Sequence, residues 1–403
     1  MSKPFAIIVG AGPCGLLLAL LLAKAGHHVQ LLDAAHKLDE QPRATHYGPE
    51  AVEVLDSAGV LQDVLAEGGF VPHGVAWRKP DGTPIAELLT TTLTSTSKHT
   101  MVCLPLNHLG RILYRHLLAQ PRASVLWGHR VTSVRQTDGE AIVEAEALGE
   151  TKTLAARYVV GCDGANSQVR RSLFGDAEFP GWTWDEQIVA TNTYYPFDKY
   201  GFTDSNFIIS RENWYMAARI SNDGLWRVTY GEVPDLTKDE YLSRQARKFE
   251  HMLPGNPKVD GWKCVNFSPY KIHQRLAPSL RQGKILLAGD AAHLCNPFGG
   301  LGLTGGILDV GGLYDCLHGI ATGAADESIL DRYSEVRSRL YREFTDPVST
   351  ANMRRLCKTD PERALEEDAF LRMIRESNHD PAVANQLAEG AKGLSHDFTQ
   401  YYH

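Results

Sequence analysis

Gly10, Gly12 and Gly15, followed by Asp33, have the spacing of a turn that holds a phosphate, in the stretch "IIVGAGPCGLLLALLLAKAGHHVQLLD". Gly10 permits a sharp turn after a short apolar run. Gly12 lets the backbone approach a pyrophosphate, and Gly15 lets the next helix lie close against the strand. The start of that helix presents free N–H groups and a partial positive charge to the phosphates. Asp33 stands 18 residues after Gly15, where a carboxylate can take a ribose hydroxyl. A structural glycine turn is the alternative. The strand–turn–helix–strand–acid context favours a dinucleotide, without choosing between NAD and FAD.

Two later stretches bear on that choice. "YVVGCDGANSQVRRSLFG" is an apolar strand ending in Gly-Cys-Asp-Gly, then a polar turn and a basic helix start. In isolation an Asp-Gly turn is often structural. "GKILLAGDAAHLCNPFGGLGLTGGILDVGGL" carries nine glycines in 31 residues. Glycine inside a helix costs about 0.5–1 kcal/mol, so the glycines at 299, 300, 302, 305 and 306 need a reason. Close approach of a flat ligand to the backbone supplies one. Asp290 closes the strand before them, at the end where α/β sheets bind ligands.

The elements that position these residues follow from periodicity. Residues 5–9 and 28–32 read as strands flanking a helix over 14–25, which stops at Gly26. Residues 49–68 carry a helical apolar stripe, and "LPLNHLGRILYRHLLA" another. Pro-Asp-Gly within "FVPHGVAWRKPDGTPIAEL" marks a hairpin, and an Asp-Gly turn at 138–139 joins two further strands. From 182 to 270 the chain is rich in Trp, Tyr and β-branched residues, which predicts a mostly antiparallel sheet. From 326 to 395 it is helical and heavily charged, with pairs such as Arg363 and Glu367 on solvated faces. This is an α/β chain with a β-rich insert, and the expected site lies between the two.

Composition narrows the function classes. The 403 residues carry a formal net charge of −7, with 43% hydrophobic and 22% charged residues, as in a soluble globular protein without a nucleic-acid surface. Seven cysteines show no CxxC pair and read as reduced, buried side chains. The 16 histidines form no HExxH, so no metal is expected. No signal peptide and no run of about 18 apolar residues stand out, which points to the cytoplasm without stable membrane insertion.

Taken together, GxGxxG, "GCDGANSQVRRSL" and "LLAGDAAHLCNPFGGLGLTGGILD" resemble the single-component (group A) FAD-dependent aromatic hydroxylases, with the fold of p-hydroxybenzoate hydroxylase. The resemblance covers most of 5–345 and looks closest to fungal members that tailor secondary metabolites or degrade phenols. It implies a discontinuous Rossmann-like FAD-binding domain (1–69, 101–179, 279–345), a substrate-binding β-rich domain (70–100, 180–278) and a C-terminal helical segment (346–403). It implies non-covalent FAD, with its adenosine at Gly10, Gly12, Gly15 and Asp33, and with Arg43 reaching it after the second strand. Asp163, Gly164 and Arg170 would serve both FAD and a passing NAD(P)H. Asp290 would contact the ribityl or pyrophosphate region, Pro297 would sit beside the flavin, and Gly302, Leu303 and Thr304 would face its pyrimidine edge. Leu106 stands where many members carry Gln, and Thr304 where Asn is common. A second GxGxxG after a strand is absent, which fits transient binding of NAD(P)H.

The implied chemistry is hydride transfer to FAD, reaction with dioxygen to a flavin C(4a)-hydroperoxide, and oxygen transfer to a phenolic or polyketide-like ring in a water-poor pocket. Substrate contacts are expected from Arg211, Tyr215, Arg219 and Tyr230 of the insert, with His46 and Tyr47 near the flavin. His293 lies within the flavin motif and reads as structural. The alternatives are a related monooxygenase performing epoxidation, Baeyer–Villiger insertion or decarboxylative hydroxylation; a halogenase, whose motif "WTWDEQ" leaves incomplete; and a non-catalytic relative like the prenyl-GTPase chaperones. A monomer or homodimer is expected.

Overall fold

The computed structural model describes residues 3–91 and 98–403. Its first layer is a six-stranded sheet in the order Arg281–Gln282, Ile285–Leu287, Tyr158–Gly161, Ala6–Val9, Val29–Asp33, Ala123–Trp127. The last five strands are parallel. Helices cover such a sheet on both faces, so Ala6–Val9, Tyr158–Gly161 and Ile285–Leu287 are buried at every position and read as unbroken apolar runs. After Ala6–Val9 the chain runs through helix Pro13–Lys24 to the strand on one side, and the strand on its other side comes much later. The order therefore reverses at the end of Ala6–Val9, where open α/β sheets bind their ligands. The expected helix over 49–68 is two, Pro49–Ser57 and Leu61–Ala66, because Gly59 turns the chain at φ +69°.

The second layer is an eight-stranded sheet in the order His293–Leu294, Lys263–Leu276, Gly181–Tyr194, Leu225–Glu232, Tyr215–Arg219, Ser205–Ile208, Gly74–Arg78, Pro84–Leu89. Strands from 70–100 and from 180–278 thus share one sheet; residues 92–97 of the first stretch lie outside the described residues. Helix Lys238–Met252 opens with a full capping box, Thr237 and Glu240 each accepting the other's backbone N–H. It covers one face of the sheet through Tyr241, Phe249 and Met252. A separate three-stranded sheet, Arg130–Gln136, Ala141–Ala147 and Glu150–Ala156, contains the Asp-Gly turn.

The C-terminal helices do more than present solvated charge. Met353, Leu356 and Cys357 of helix Asp346–Lys358 bury against Trp184, Ile188, Trp214 and Phe298. Leu371 and Ile374 of helix Ala369–Ser377 bury against Trp77 and Ile85 of the sheet. Among the described residues no helix is long and apolar enough to cross a membrane, and no group of three metal-ligating side chains occurs.

Candidate functional site

A cavity of about 1160 Å³ lies between the two layers. Its walls include Gly12, Arg43, His46, Gly164, Asp290, Pro297, Gly302, Leu303 and Thr304. At one end stands the glycine turn. Gly10 has φ +105°, and a methyl group there would lie 2.4 Å from the carbonyl oxygen of Cys162. A methyl group on Gly15 would lie 1.9 Å from the carbonyl oxygen of Gly10, so helix Pro13–Lys24 rests directly on the turn. Nothing lies within 4 Å of the place a Cβ would take on Gly12, which opens to the cavity beside a helix start with no side-chain cap. Asp33 accepts the N–H of Ala11 at 2.6 Å and of Ala35 at 2.7 Å, bracing the turn. Open backbone at a helix N-terminus with an acid alongside fits the pyrophosphate and ribose of FAD.

The Asp-Gly motif divides its labour. Asp163 accepts from Ser167 Oγ at 2.6 Å and from the N–H groups of Gln168 and Val169 at 2.7 and 3.1 Å, closing the start of helix Gln168–Phe174. Burial pushes its carboxyl up, and these hydrogen bonds oppose the shift. Gly164 and Ala165 face the cavity instead. Arg170 does not line the cavity either: it donates to Ala291 O at 3.0 Å and Ala165 O at 2.8 Å and lies 3.6 Å over the Phe179 ring. It fastens this turn to the one carrying Asp290. The Asp290 carboxyl points into the cavity, where the surrounding walls push it up and His293 and Arg43 oppose the shift. Arg43 pairs with Asp39 at 3.0 Å.

Helix Leu301–Thr322 begins at Gly300, which has the left-handed φ of +67°. Thr304 Oγ1 accepts the N–H of Gly48 at 3.2 Å, tying this helix to the loop that carries His46. Deeper along the helix, Asp309 is fully buried and accepts from His293 Nε2 and Arg337 Nε, both at 2.7 Å, and from the Gly289 N–H at 2.9 Å. Arg337 also donates to Gly305 O at 3.1 Å. His293 is therefore structural, as expected from its position in the motif. His46 lies in the wall, with Nδ1 2.8 Å from Thr45 Oγ1 and Nε2 3.1 Å from Ser205 Oγ. Burial pushes its imidazole down to about 4; Asp204 opposes the shift and Arg227 adds to it.

The structure does not bring the other expected substrate contacts to the cavity. Tyr215 and Tyr230 pair across adjacent strands and bury against helix Lys238–Met252, with the Tyr230 ring 5.7 Å from Phe249. Side chains alternate along a strand, so their neighbours Met216, Ala218, Arg227 and Thr229 form the cavity wall instead. Arg219 donates to Asp204 at 3.4 Å and to Ser221 O at 3.2 Å, away from the cavity. Arg211 lines a separate surface pocket of about 340 Å³. Tyr47 is buried, with its hydroxyl donating to Leu104 O at 2.9 Å. The buried Tyr230 hydroxyl has no partner among the described residues. Tyr230→Phe is accordingly expected to raise stability by about 1 kcal/mol and to leave ligand binding unchanged, as thermal unfolding and titration would show.

Sequence reasoning missed two groups. Arg227 donates through Nε and Nη2 to Asn192 Oδ1 at 3.1 and 3.0 Å and to the Pro42 carbonyl. Counting by twos along "LWRVTY" would have placed it with Thr229. The second group is the C-terminal layer, where Phe344, Val348, Asn352, Leu356 and Phe370 close the cavity opposite the sheet; charge on the outer faces of its helices hid this inner stripe.

The FAD binding domain family matches residues 5–347. The para-nitrophenol 4-monooxygenase of Pseudomonas sp. is 38% identical over 382 residues, covering 94% of this chain and 93% of that one. The 6-hydroxy-3-succinoylpyridine 3-monooxygenase of Pseudomonas putida is 36% identical over 366 residues, 89% of this chain and 90% of that one. The crystal structure of p-nitrophenol 4-monooxygenase from Pseudomonas putida superimposes with a TM-score of 0.92 at 34% identity, covering 97% of this chain and 98% of that one. With its glycine turn, Asp-Gly turn and glycine-rich helix start gathered around one cavity, the chain belongs to this FAD-binding family of flavin-dependent aromatic monooxygenases.

Proposed function

We propose that the protein hydroxylates a small single-ring phenol, of which para-nitrophenol is the first to test, with NAD(P)H as reductant and dioxygen as oxidant. The observation that carries this reading is the His46–Ser205 pair inside the cavity, beside the loop of Pro297, Gly299 and Gly300. An imidazole pushed down to about 4 is neutral at neutral pH. It keeps a lone pair on one ring nitrogen, and the hydroxyls of Thr45 and Ser205 can turn to suit either tautomer. Such a pair can accept a hydrogen bond from a phenol hydroxyl and so fix the ring's orientation in the cavity. The rest of that end is apolar and aromatic, with Trp77, Phe207, Met216, Phe344 and Phe370, which suits a flat ring and keeps water out. Size points the same way. Single drug-sized ligands fill about 300–1,000 Å³, and the cavity of about 1160 Å³ must hold a dinucleotide as well. A small second ligand suits that space better than a polyketide. The relatives named for para-nitrophenol and for a hydroxypyridine support the same class.

In this reading Gly12, Arg43, Gly164, Asp290, Gly302, Leu303 and Thr304 hold FAD, and Gly10, Gly15, Asp33, Asp163 and Arg170 shape the turns that do so. The six-stranded layer serves as the cofactor domain and the eight-stranded sheet as the substrate domain. When bound, FAD supplies the exchange of electrons with NAD(P)H and the activation of dioxygen. The protein's own groups orient the ring, exclude water and accept the phenol's hydrogen bond at His46 or Ser205.

His46→Leu removes both ring nitrogens and leaves an apolar side chain in the wall. It is expected to retain FAD and to lower kcat/KM for para-nitrophenol about three- to tenfold, as for one lost hydrogen bond. Steady-state rates alongside FAD absorbance check this, and an unchanged rate would remove His46 from the chemistry. The variant should also lose part of the pH dependence of stability. In the wild type the unfolded chain binds a proton at His46 near the usual 6.5 and the folded chain only near 4. Stability therefore rises with pH across that window, and less so in the variant.

A further inference from the structure

Helix Asp346–Lys358 places one polar side chain in the cavity, and a chain of buried groups orients it. Helix Asp346–Lys358 turns Val348, Asn352 and Leu356 toward the cavity, four residues apart on one stripe. Asn352 is thus an amide between two apolar neighbours. Its Oδ1 accepts from Arg355 Nη1 at 2.6 Å. Arg355 has a side chain only 7% exposed; its Nε donates to Asp368 Oδ2 at 2.6 Å, and its guanidinium lies 4.3 Å over the Phe370 ring. The other oxygen of Asp368 caps helix Ala369–Ser377, accepting from the N–H groups of Phe370 and Leu371 at 2.8 and 3.3 Å. A guanidinium has donors only, so the amide oxygen must face Arg355 and the amide nitrogen must face away. That nitrogen stands against the Gly299 backbone, 2.9 Å from where a methyl group on Gly299 would lie. Gly300 beside it approaches His46 in the same way, with a methyl position 4.0 Å from His46 Cβ. The Nδ2 donors have no acceptor among the described residues and open on the cavity wall.

We infer that Asn352 is a substrate-binding residue, its Nδ2 donating to an acceptor oxygen of the aromatic substrate while Arg355 and Asp368 fix the amide's direction. This rests on the phenol reading above and adds to it a second polar station, on the wall facing the sheet. A donor held in place before the ligand arrives loses little freedom on binding. Left unmatched among apolar groups it would be costly, so the site selects rings that bring an acceptor to it. The C-terminal helices are then part of the specificity apparatus.

Asn352→Asp separates this role from a structural one. The carboxylate keeps the size and can pair with Arg355, so a side chain needed only to satisfy Arg355 would be replaced without loss. It carries no N–H, however, and repels an oxygen ligand. Equilibrium dialysis with para-nitrophenol, beside FAD content and thermal unfolding, is the test. The expected result is FAD content and unfolding temperature as in wild type, with Kd raised more than about tenfold. Asn352→Leu, which removes the donor without adding charge, should raise Kd about three- to tenfold, as for one neutral hydrogen bond. An Asn352→Asp protein that binds para-nitrophenol as tightly as wild type would overturn the assignment of Asn352 alone. A wild-type protein that neither binds para-nitrophenol nor oxidises NAD(P)H faster in its presence would overturn the phenol reading itself.

Discussion

Asp309→Ala should cost the fold about 3–5 kcal/mol, the range for breaking a buried ion pair by removing one partner. It should also leave the purified protein largely without FAD. Asp309 is fully buried, and its carboxylate is the acceptor for His293, Arg337 and the Gly289 N–H. Alanine would strand the guanidinium of Arg337, whose side chain is only 4% exposed, and unpair the Gly289 amide at the turn that presents Asp290. The effect must depend on pH, and its sign is fixed. His293 and Arg337 overcome burial and hold the Asp309 carboxyl at about 2 against the usual 3.8. Its folded value lies below its unfolded one, so its stabilisation is present above about 4 and is lost as pH falls toward 2. Denaturant unfolding of wild type and variant between pH 7 and pH 2 checks this. The gap between the two should be widest near neutrality and should narrow below pH 4. A constant gap would mean that Asp309 acts through shape and not through charge.

Gly10→Ala is the second large effect. The residue would keep a φ of +105° that side chains rarely adopt, at a cost of about 1–3 kcal/mol. Its methyl group would press on the Cys162 carbonyl oxygen at 2.4 Å, a backbone atom at the end of a buried strand. Overpacking of that kind costs about 1–3 kcal/mol more. The turn must open to relieve the contact, and in doing so it moves the first helix N–H groups that are proposed to face the pyrophosphate. A colourless, destabilised protein is expected, measured by FAD absorbance and thermal unfolding. Gly390→Ala is a matched control: nothing lies within 4 Å of its Cβ position, and it sits in helix Pro381–Ala391, outside the cavity lining. It should leave FAD in place and raise stability slightly, because alanine favours the helix.

The buried strands, the glycine turn and the close approach of a ligand at glycines 299–306 were legible because each rests on local chemistry. Buried strands must be apolar throughout, and glycines occur in number only where backbone or ligand comes close. The antiparallel hairpins were legible from their Pro-Asp-Gly and Asp-Gly turns. The substrate wall was not. Tyr215 and Tyr230 were attractive by residue type, yet in a sheet covered on one side by a helix and on the other by a cavity both faces are half apolar. Alternation then says which residues share a face but not which face meets the cavity. Only the helix Lys238–Met252, docked through Phe249, decides that. Arg170 and Asp163 show a second limit. A motif reveals that two turns are important, but Arg170 acts by bridging Ala165 and Ala291, which are more than 120 residues apart. Asn352 and Leu356 fell in a segment whose outward charges outweigh one inward stripe.

Isotope decides whether this cavity inserts oxygen from dioxygen into a phenol. The FAD-loaded protein is given NAD(P)H, para-nitrophenol and ¹⁸O₂, the reaction is quenched early, and the organic product is weighed by mass spectrometry. NAD(P)H oxidation faster than without the phenol, and a product carrying one ¹⁸O atom, are expected. Phenol-stimulated oxidation in which all of the ¹⁸O appears as hydrogen peroxide, with the ring recovered unchanged, would contradict that insertion.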